Sequence, residues 1–125
     1  MSADPYSPEV RRLFAAAEHA RIPPGGAVVR QDADGVSIEL GARASAGRLE
    51  QMGFRAYGCP HVIAAAEAVC GRFEGRPVAS LAEFAVGELM QSLAVPAEKT
   101  GRLLVLEDAV RMLMHALGQD DDSQE

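Results

Sequence analysis

The sequence predicts an α+β domain in which a three-stranded antiparallel sheet packs against helices on one face. Three observations carry that expectation. Val36, Ile38, Leu40 and Ala42 alternate with Ser37, Glu39, Gly41 and Arg43, the period-two pattern of a half-buried strand. Asp34-Gly35 and Ala46-Gly47 bracket that strand with turn signals. From residue 58 onward the apolar spacing lengthens to that of helices.

Taken in order, Ser7-Pro8-Glu9 reads as a helix start, with Ser7 as N-cap, Pro8 at the first helical position and an acid near the positive end of the dipole. Val10, Leu13, Phe14 and Ala17 then share one helical face, and Pro23-Pro24-Gly25-Gly26 ends the element. Ala27 to Arg30 is a short first strand, Val36 onward the second, and Leu49 to Tyr57 the third, with Met52, Phe54 and Ala56 on one face. A helix follows over Val62 to Phe73, its stripe made by Val62, Ala65, Ala66, Val69 and Phe73. Gly75-Arg76-Pro77 stops it. Ser80 with Glu83 fits a capping box for a short third helix that ends before Val95-Pro96. Glu98 to Leu117 forms the last helix, with Leu103, Leu106, Val110, Leu113 and Leu117 at spacings of three and four.

Composition narrows the class. With 125 residues the chain has the length of one domain, read as residues 1–118, and 48% hydrophobic residues are enough to build a core. A net charge of −6 argues against nucleic acid, whose phosphates need a surplus of Lys and Arg. Asp120-Asp121-Asp122 makes residues 119–125 read as a disordered acidic tail. No signal peptide is expected from Met1 to Tyr6, and no apolar run reaches membrane-spanning length. The expectation is a soluble cytoplasmic protein that meets neither membrane nor nucleic acid.

Chemistry concentrates at Tyr57-Gly58-Cys59-Pro60-His61. There a strand ends and a cysteine stands where a helix begins, facing unpaired N–H groups and the positive end of the dipole, both of which favour a thiolate. His61 is placed to serve as a second ligand or a proton acceptor. The alternative is that Cys59 is a small buried filler at the junction. Cys70 lies about 16 Å further along the helix axis at roughly 1.5 Å per residue, too far to share a metal ion or a disulfide with Cys59, and reads as core. His19 and His115 are expected near helix ends, where imidazoles meet the C-terminal dipole. Glu107-Asp108 reads as a surface acidic pair. Two cysteines make no disulfide framework, and no CxxC or HxxxH pattern offers a self-contained metal site. Nothing in the residues reads as an enzyme.

Three stretches resemble the IscU/NifU N-terminal scaffold family of iron–sulfur cluster assembly. Tyr6-Ser7-Pro8-Glu9-Val10 is similar to its opening Tyr-Ser-x-x-Val. Phe54 to Cys59 is similar to its Phe-x-x-x-Gly-Cys junction, followed by the small-residue run Ile63-Ala64-Ala65-Ala66. Leu106-Glu107-Asp108-Ala109-Val110 is similar to its Ala-Glu-Asp-Ala-Ile. The resemblance spans residues 6 to 117 and implies a scaffold that holds a [2Fe–2S] cluster or zinc on three cysteines, aided by an Asp and a His. It also implies a cysteine desulfurase and other iron–sulfur assembly proteins as partners. Cys59 matches the middle cysteine. The family's Cys-Gly-Asp element falls on Ala33-Asp34-Gly35, without its cysteine, and its His-Cys pair falls on Gly101-Arg102, without either ligand. Its chaperone-recognition stretch is here Val95-Pro96-Ala97-Glu98-Lys99, which has lost most of its apolar character.

The resemblance therefore implies Cys59, His61 and Asp34 as metal-site residues, with Glu107 a further candidate carboxylate, and a ligand set that is incomplete on one chain. A [2Fe–2S] cluster needs about four protein ligands. Iron, zinc or a cluster would require ligands shared in a homodimer or with a partner. Arg102 resists a bound cation and favours a Cys59 thiolate. Two other readings follow: a degenerate scaffold that binds and regulates assembly proteins, marked by an exposed apolar patch over residues 93 to 99, and a low-pKa thiol that carries a persulfide or acts as a redox switch.

Overall fold

The computed structural model describes residues 6–122. Its elements run α1 (Pro8–Ala15), β1 (Ala27–Ala33), β2 (Val36–Ser45), β3 (Arg48–Tyr57), α2 (Pro60–Phe73), α3 (Val86–Leu93) and α4 (Thr100–Asp122), with 3₁₀ turns over Val78–Glu83 and Ala97–Lys99. The expected α+β class is the observed one. The three strands form an antiparallel meander in the order β1-β2-β3.

Both hairpins turn where the dipeptides indicate. Asp34 and Gly35 have φ of 53° and 75°, and Ala46 and Gly47 have 54° and 76°, the pair of left-handed residues that a tight two-residue hairpin needs. The register sets Leu40 against Phe54 and Ala42 against Met52, and a bulge between Arg43 and Ala44 absorbs the offset near the second turn. Val36, Ile38, Leu40, Ala42, Met52 and Phe54 are all buried and point to one face. On that face α2 packs against β3, while α4 packs against β1 and β2. Phe73 of α2 meets Phe84 edge-on at 6.3 Å. Each large apolar side chain buried there contributes about 1.5–3 kcal/mol relative to exposure, so the sheet and the two helices hold one another in place.

The opposite face is crossed by the chain itself. Residues 16–26 leave α1, pass the edge of β3 and run over Gly53 and Gly41, with Ile22 packed on Gly41. A Cβ on Gly53 would overlap the carbonyl of Arg21, so that crossing requires glycine there.

Several boundaries differ from the sequence expectation, each for a physical reason. β1 extends to Ala33 because β2 offers partners for the whole length, from Ala27 against Ala42 to Ala33 against Val36. α1 does carry the Ser7 cap, whose hydroxyl accepts the Val10 N–H at 3.2 Å, but it stops at Ala15. Ala17 therefore lies outside the helix, and Phe14 is 46% exposed rather than part of the buried stripe. Ser80 caps nothing: it sits inside a 3₁₀ turn and its hydroxyl donates back to the Pro77 carbonyl at 2.6 Å. α3 begins at Val86, and its first N–H is taken by Glu107 Oε2 of α4 at 3.0 Å. α4 runs on through residues 119–122, which were expected in a disordered tail; residues 123–125 of that tail lie outside the described residues. Among the described residues no helix is long and apolar enough to cross a membrane.

Candidate functional site

The β1–β2 turn, the end of β3 and the start of α4 meet at one end of the sheet. They enclose a cleft of about 260 Å³ lined by Asp34, Gly35, Val36, Tyr57, Cys59 and Arg102. The meander brings Asp34 there because β2 pairs with β3 from Ser37 opposite Tyr57, leaving the turn beside the β3–α2 junction. α4 enters at Gly101, where a Cβ would stand 3.1 Å from Asp34 Oδ2. Gly101 thus leaves room for the turn's carboxylate, and Arg102 extends along the same wall. Tyr57 stands at the rim, 72% exposed.

Cys59 is the N-cap residue of α2, with Pro60 at the first helical position, as the sequence indicated. Its thiol is partly exposed to the cleft. Burial opposes ionisation and is the largest single influence, but the amide of Val62, the guanidinium of Arg102 and the amide of His61 together outweigh it. The thiol is held below its ordinary value. The two amides act as oriented dipoles, since neither closes a capping hydrogen bond with the sulfur.

His61 turns away from solvent. It is 1% exposed, its Nδ1 lies 4.0 Å from the Cys59 sulfur, and the ring of Tyr6 covers it at 4.8 Å between centroids. The structure therefore brings Asp34, Cys59 and Arg102 into one cleft, and places His61 behind the sulfur instead of in the cleft lining. Glu107 is elsewhere: it caps α3 and pairs with Arg111 at 2.9 Å, so it is neither a ligand beside Cys59 nor a free surface acid. Among the described residues no three side chains of His, Cys, Asp or Glu are grouped to hold a metal ion. One thiolate, one carboxylate and a guanidinium do not fit a cluster held by a single chain.

A crystal structure described as that of a hypothetical protein shares this architecture. It aligns with a TM-score of 0.58 at 15% identity, covering 82% of this chain and 96% of that one. At that identity the likeness concerns fold alone. No protein-family model matches the chain, and no curated protein does.

Cys70 is fully buried in α2, as expected of a core residue. Burial first, then the charges of Glu67 and Glu74, push its thiol far above the ordinary range. His19 and His115 overturn the helix-end expectation. His115 sits on an exposed position within α4, well before that helix ends. His19 lies beyond α1 altogether, with Nδ1 2.6 Å from Glu67 Oε2 and Nε2 3.2 Å from Glu74 Oε1. This cluster joins residues 48 and 55 positions apart and has no local signature around His19 in the sequence. Its one available signal was Glu67, a charged residue interrupting the apolar run of α2.

Proposed function

We propose that the chain is a scaffold-like protein of iron–sulfur cluster assembly in which Cys59 works as an accessible thiolate beside a guanidinium. The observation that carries this reading is the convergence of Asp34, Cys59 and Arg102 on one cleft. These are the places where the resemblance puts the family's ligand-bearing segments. Iron, zinc or a [2Fe–2S] cluster is then cargo, held only with ligands lent by a second copy of the chain or by a partner.

What the cleft supplies alone is nucleophilic sulfur. Toward a persulfide donor such as a cysteine desulfurase, the Cys59 thiolate attacks the terminal sulfur. The donor's S–S bond breaks, the new bond leaves Cys59 as a persulfide, and the donor departs as a thiolate. Arg102 favours the anion before and after the transfer. A cytoplasmic setting, where thiols remain reduced, is part of this reading.

The protein-binding regulator is less well supported. The stretch expected to offer an exposed apolar patch buries its two large apolar residues, Leu93 and Val95, at 3% and 8% exposure.

The test is to purify the protein and a Cys59→Ala variant without oxygen and to measure iron, zinc and acid-labile sulfide. Both are then incubated with a cysteine desulfurase and cysteine and analysed by mass spectrometry. The reading expects one added sulfur on Cys59 in the parent alone, and little bound metal unless a partner is present. Metal and sulfide at full occupancy on the isolated chain would restore an autonomous scaffold. A parent that gains no sulfur and binds no metal even with partners would exclude the assembly reading.

A further inference from the structure

We propose that residues 16–24 form a proton-operated strap, clamped to α2 and β3 while His19 is an imidazolium and freed to lift from the sheet when that proton is lost. The proposal concerns the end of the molecule away from Cys59, so its failure and that of the thiolate reading are distinguishable.

The clamp has four contacts. The His19 backbone N–H donates to Glu67 Oε1 at 2.8 Å, and its ring nitrogens face Glu67 Oε2 at 2.6 Å and Glu74 Oε1 at 3.2 Å. Its carbonyl accepts the Phe54 N–H at 2.9 Å from the edge of β3. Glu74 reaches the same edge by accepting the Met52 N–H at 2.9 Å. One residue of the strap therefore joins Glu67 of α2 and Glu74, the residue that follows this helix, to a strand.

A neutral imidazole donates at only one nitrogen. Both nitrogens of His19 face carboxylate oxygens, so the neutral ring would turn a lone pair toward one of them. Only the cation satisfies both. The surroundings agree. Glu67, which is 5% exposed, and the high-pKa thiol of Cys70 face the site from α2, Glu74 faces it from just beyond that helix, and β3 presents backbone amides. The strap adds Glu18 and Arg21, and β2 adds Arg43, whose guanidinium turns to Glu50 at 3.3 Å. Burial opposes protonation of His19 and is the largest single influence, but hydrogen bonds and charges from Glu67 and Glu74 together raise its pKa above the ordinary value.

The sign follows. A group whose pKa is raised by folding contributes stability that is fully present below its unfolded pKa, about 6.5 for histidine. That contribution is lost as pH rises through the higher folded value. The strap is closed while the carboxylates are ionised and His19 is protonated, and it lifts as pH rises through the folded pKa of His19. Beside it lies a hollow of about 600 Å³, walled by His19, Ile22 and Pro23 on the strap side and by Gln51 and Met52 of β3 on the other. Lifting the strap removes one wall of that hollow and widens it.

Trypsin reads the motion, because Arg21 is exposed while the next residue, Ile22, packs on Gly41. Cleavage after Arg21 is measured on the whole protein from neutral to alkaline pH, normalised to a free peptide spanning residues 16–26. In parallel, nitrogen NMR follows the His19 ring. The normalised rate is expected to rise by up to about tenfold for each unit by which the folded pKa exceeds that of the peptide. Its midpoint should match the ring titration. His19→Gln should show a flat profile, and Glu74→Gln, altered at a part-exposed helix end, should move the midpoint to lower pH. A flat profile in the parent, or an unchanged rise in His19→Gln, would overturn the strap. So would a ring that titrates at or below the pH of the histidine in the free peptide, a result that does not depend on any variant folding.

Discussion

The two cysteines of α2 differ in everything but their helix. Cys59 stands at the N-cap with Arg102 and two amides turned toward it, and its thiol is easier to ionise than usual. Cys70 lies three turns on, fully buried, and burial together with the charges of Glu67 and Glu74 makes its thiol far harder to ionise. One helix thus carries a cationic, solvent-reaching end and an anionic, closed end. Placement relative to the dipole and to water sets the chemistry of a thiol more than its identity does.

The largest test of that contrast is selective labelling. Iodoacetamide at neutral pH is expected to modify Cys59 at least about 10³-fold faster than Cys70, because reaching Cys70 requires an opening that costs several kcal/mol. Peptide mass spectrometry on native and urea-unfolded protein checks it. Comparable rates would mean the closed end is not closed.

Removing a carboxylate from that end comes next. Glu67→Ala leaves His19 facing a void where its buried partner stood and is expected to cost about 3 kcal/mol in urea unfolding. The deficit should be largest in mildly acid solution and should shrink as pH rises through the His19 pKa, since that interaction is lost there in the parent too. A pH-independent deficit would assign Glu67 to packing alone.

Glu107→Ala removes the acceptor for the first N–H of α3 and is expected to cost about 1–2 kcal/mol, leaving Cys59 labelling unchanged. A changed labelling rate would return Glu107 to the thiol's surroundings. The smallest effect belongs to Arg102→Met. The Cys59 titration should move to higher pH, and the preference for anionic iodoacetate over neutral iodoacetamide should fall by less than about tenfold, as expected for one partly screened charge.

The sequence made the sheet legible because its signals are local. Asp34-Gly35 and the alternation from Val36 to Ala42 depend on residues next to one another, and the structure keeps both. Cys59 was legible for the same reason, since a strand end, a cysteine and a proline in succession place a thiol at a helix start. The features that went unread are long-range. Ser80 and Glu83 have the capping-box spacing, yet the cap of α3 comes from Glu107 on another helix. His19 looked like a helix-end histidine, while its partners lie on α2, and no pattern around residue 19 points to them. The convergence of Asp34 and Arg102 on Cys59 is long-range too, since no local pattern at any of the three residues points to the others.

The outer edge of β3 carries a further consequence. Leu49 donates to Arg76 and accepts from Gly75, Met52 donates to Glu74, and Phe54 donates to His19, so this edge is occupied along much of its length. An open strand edge is a template for pairing with other chains. During synthesis the three strands emerge before residues 74–76 that close this edge. The nascent hairpin is therefore exposed to misassociation until α2 and the turn after it have left the ribosome, and variants that weaken the Glu74 or His19 contacts leave part of that edge open afterwards as well.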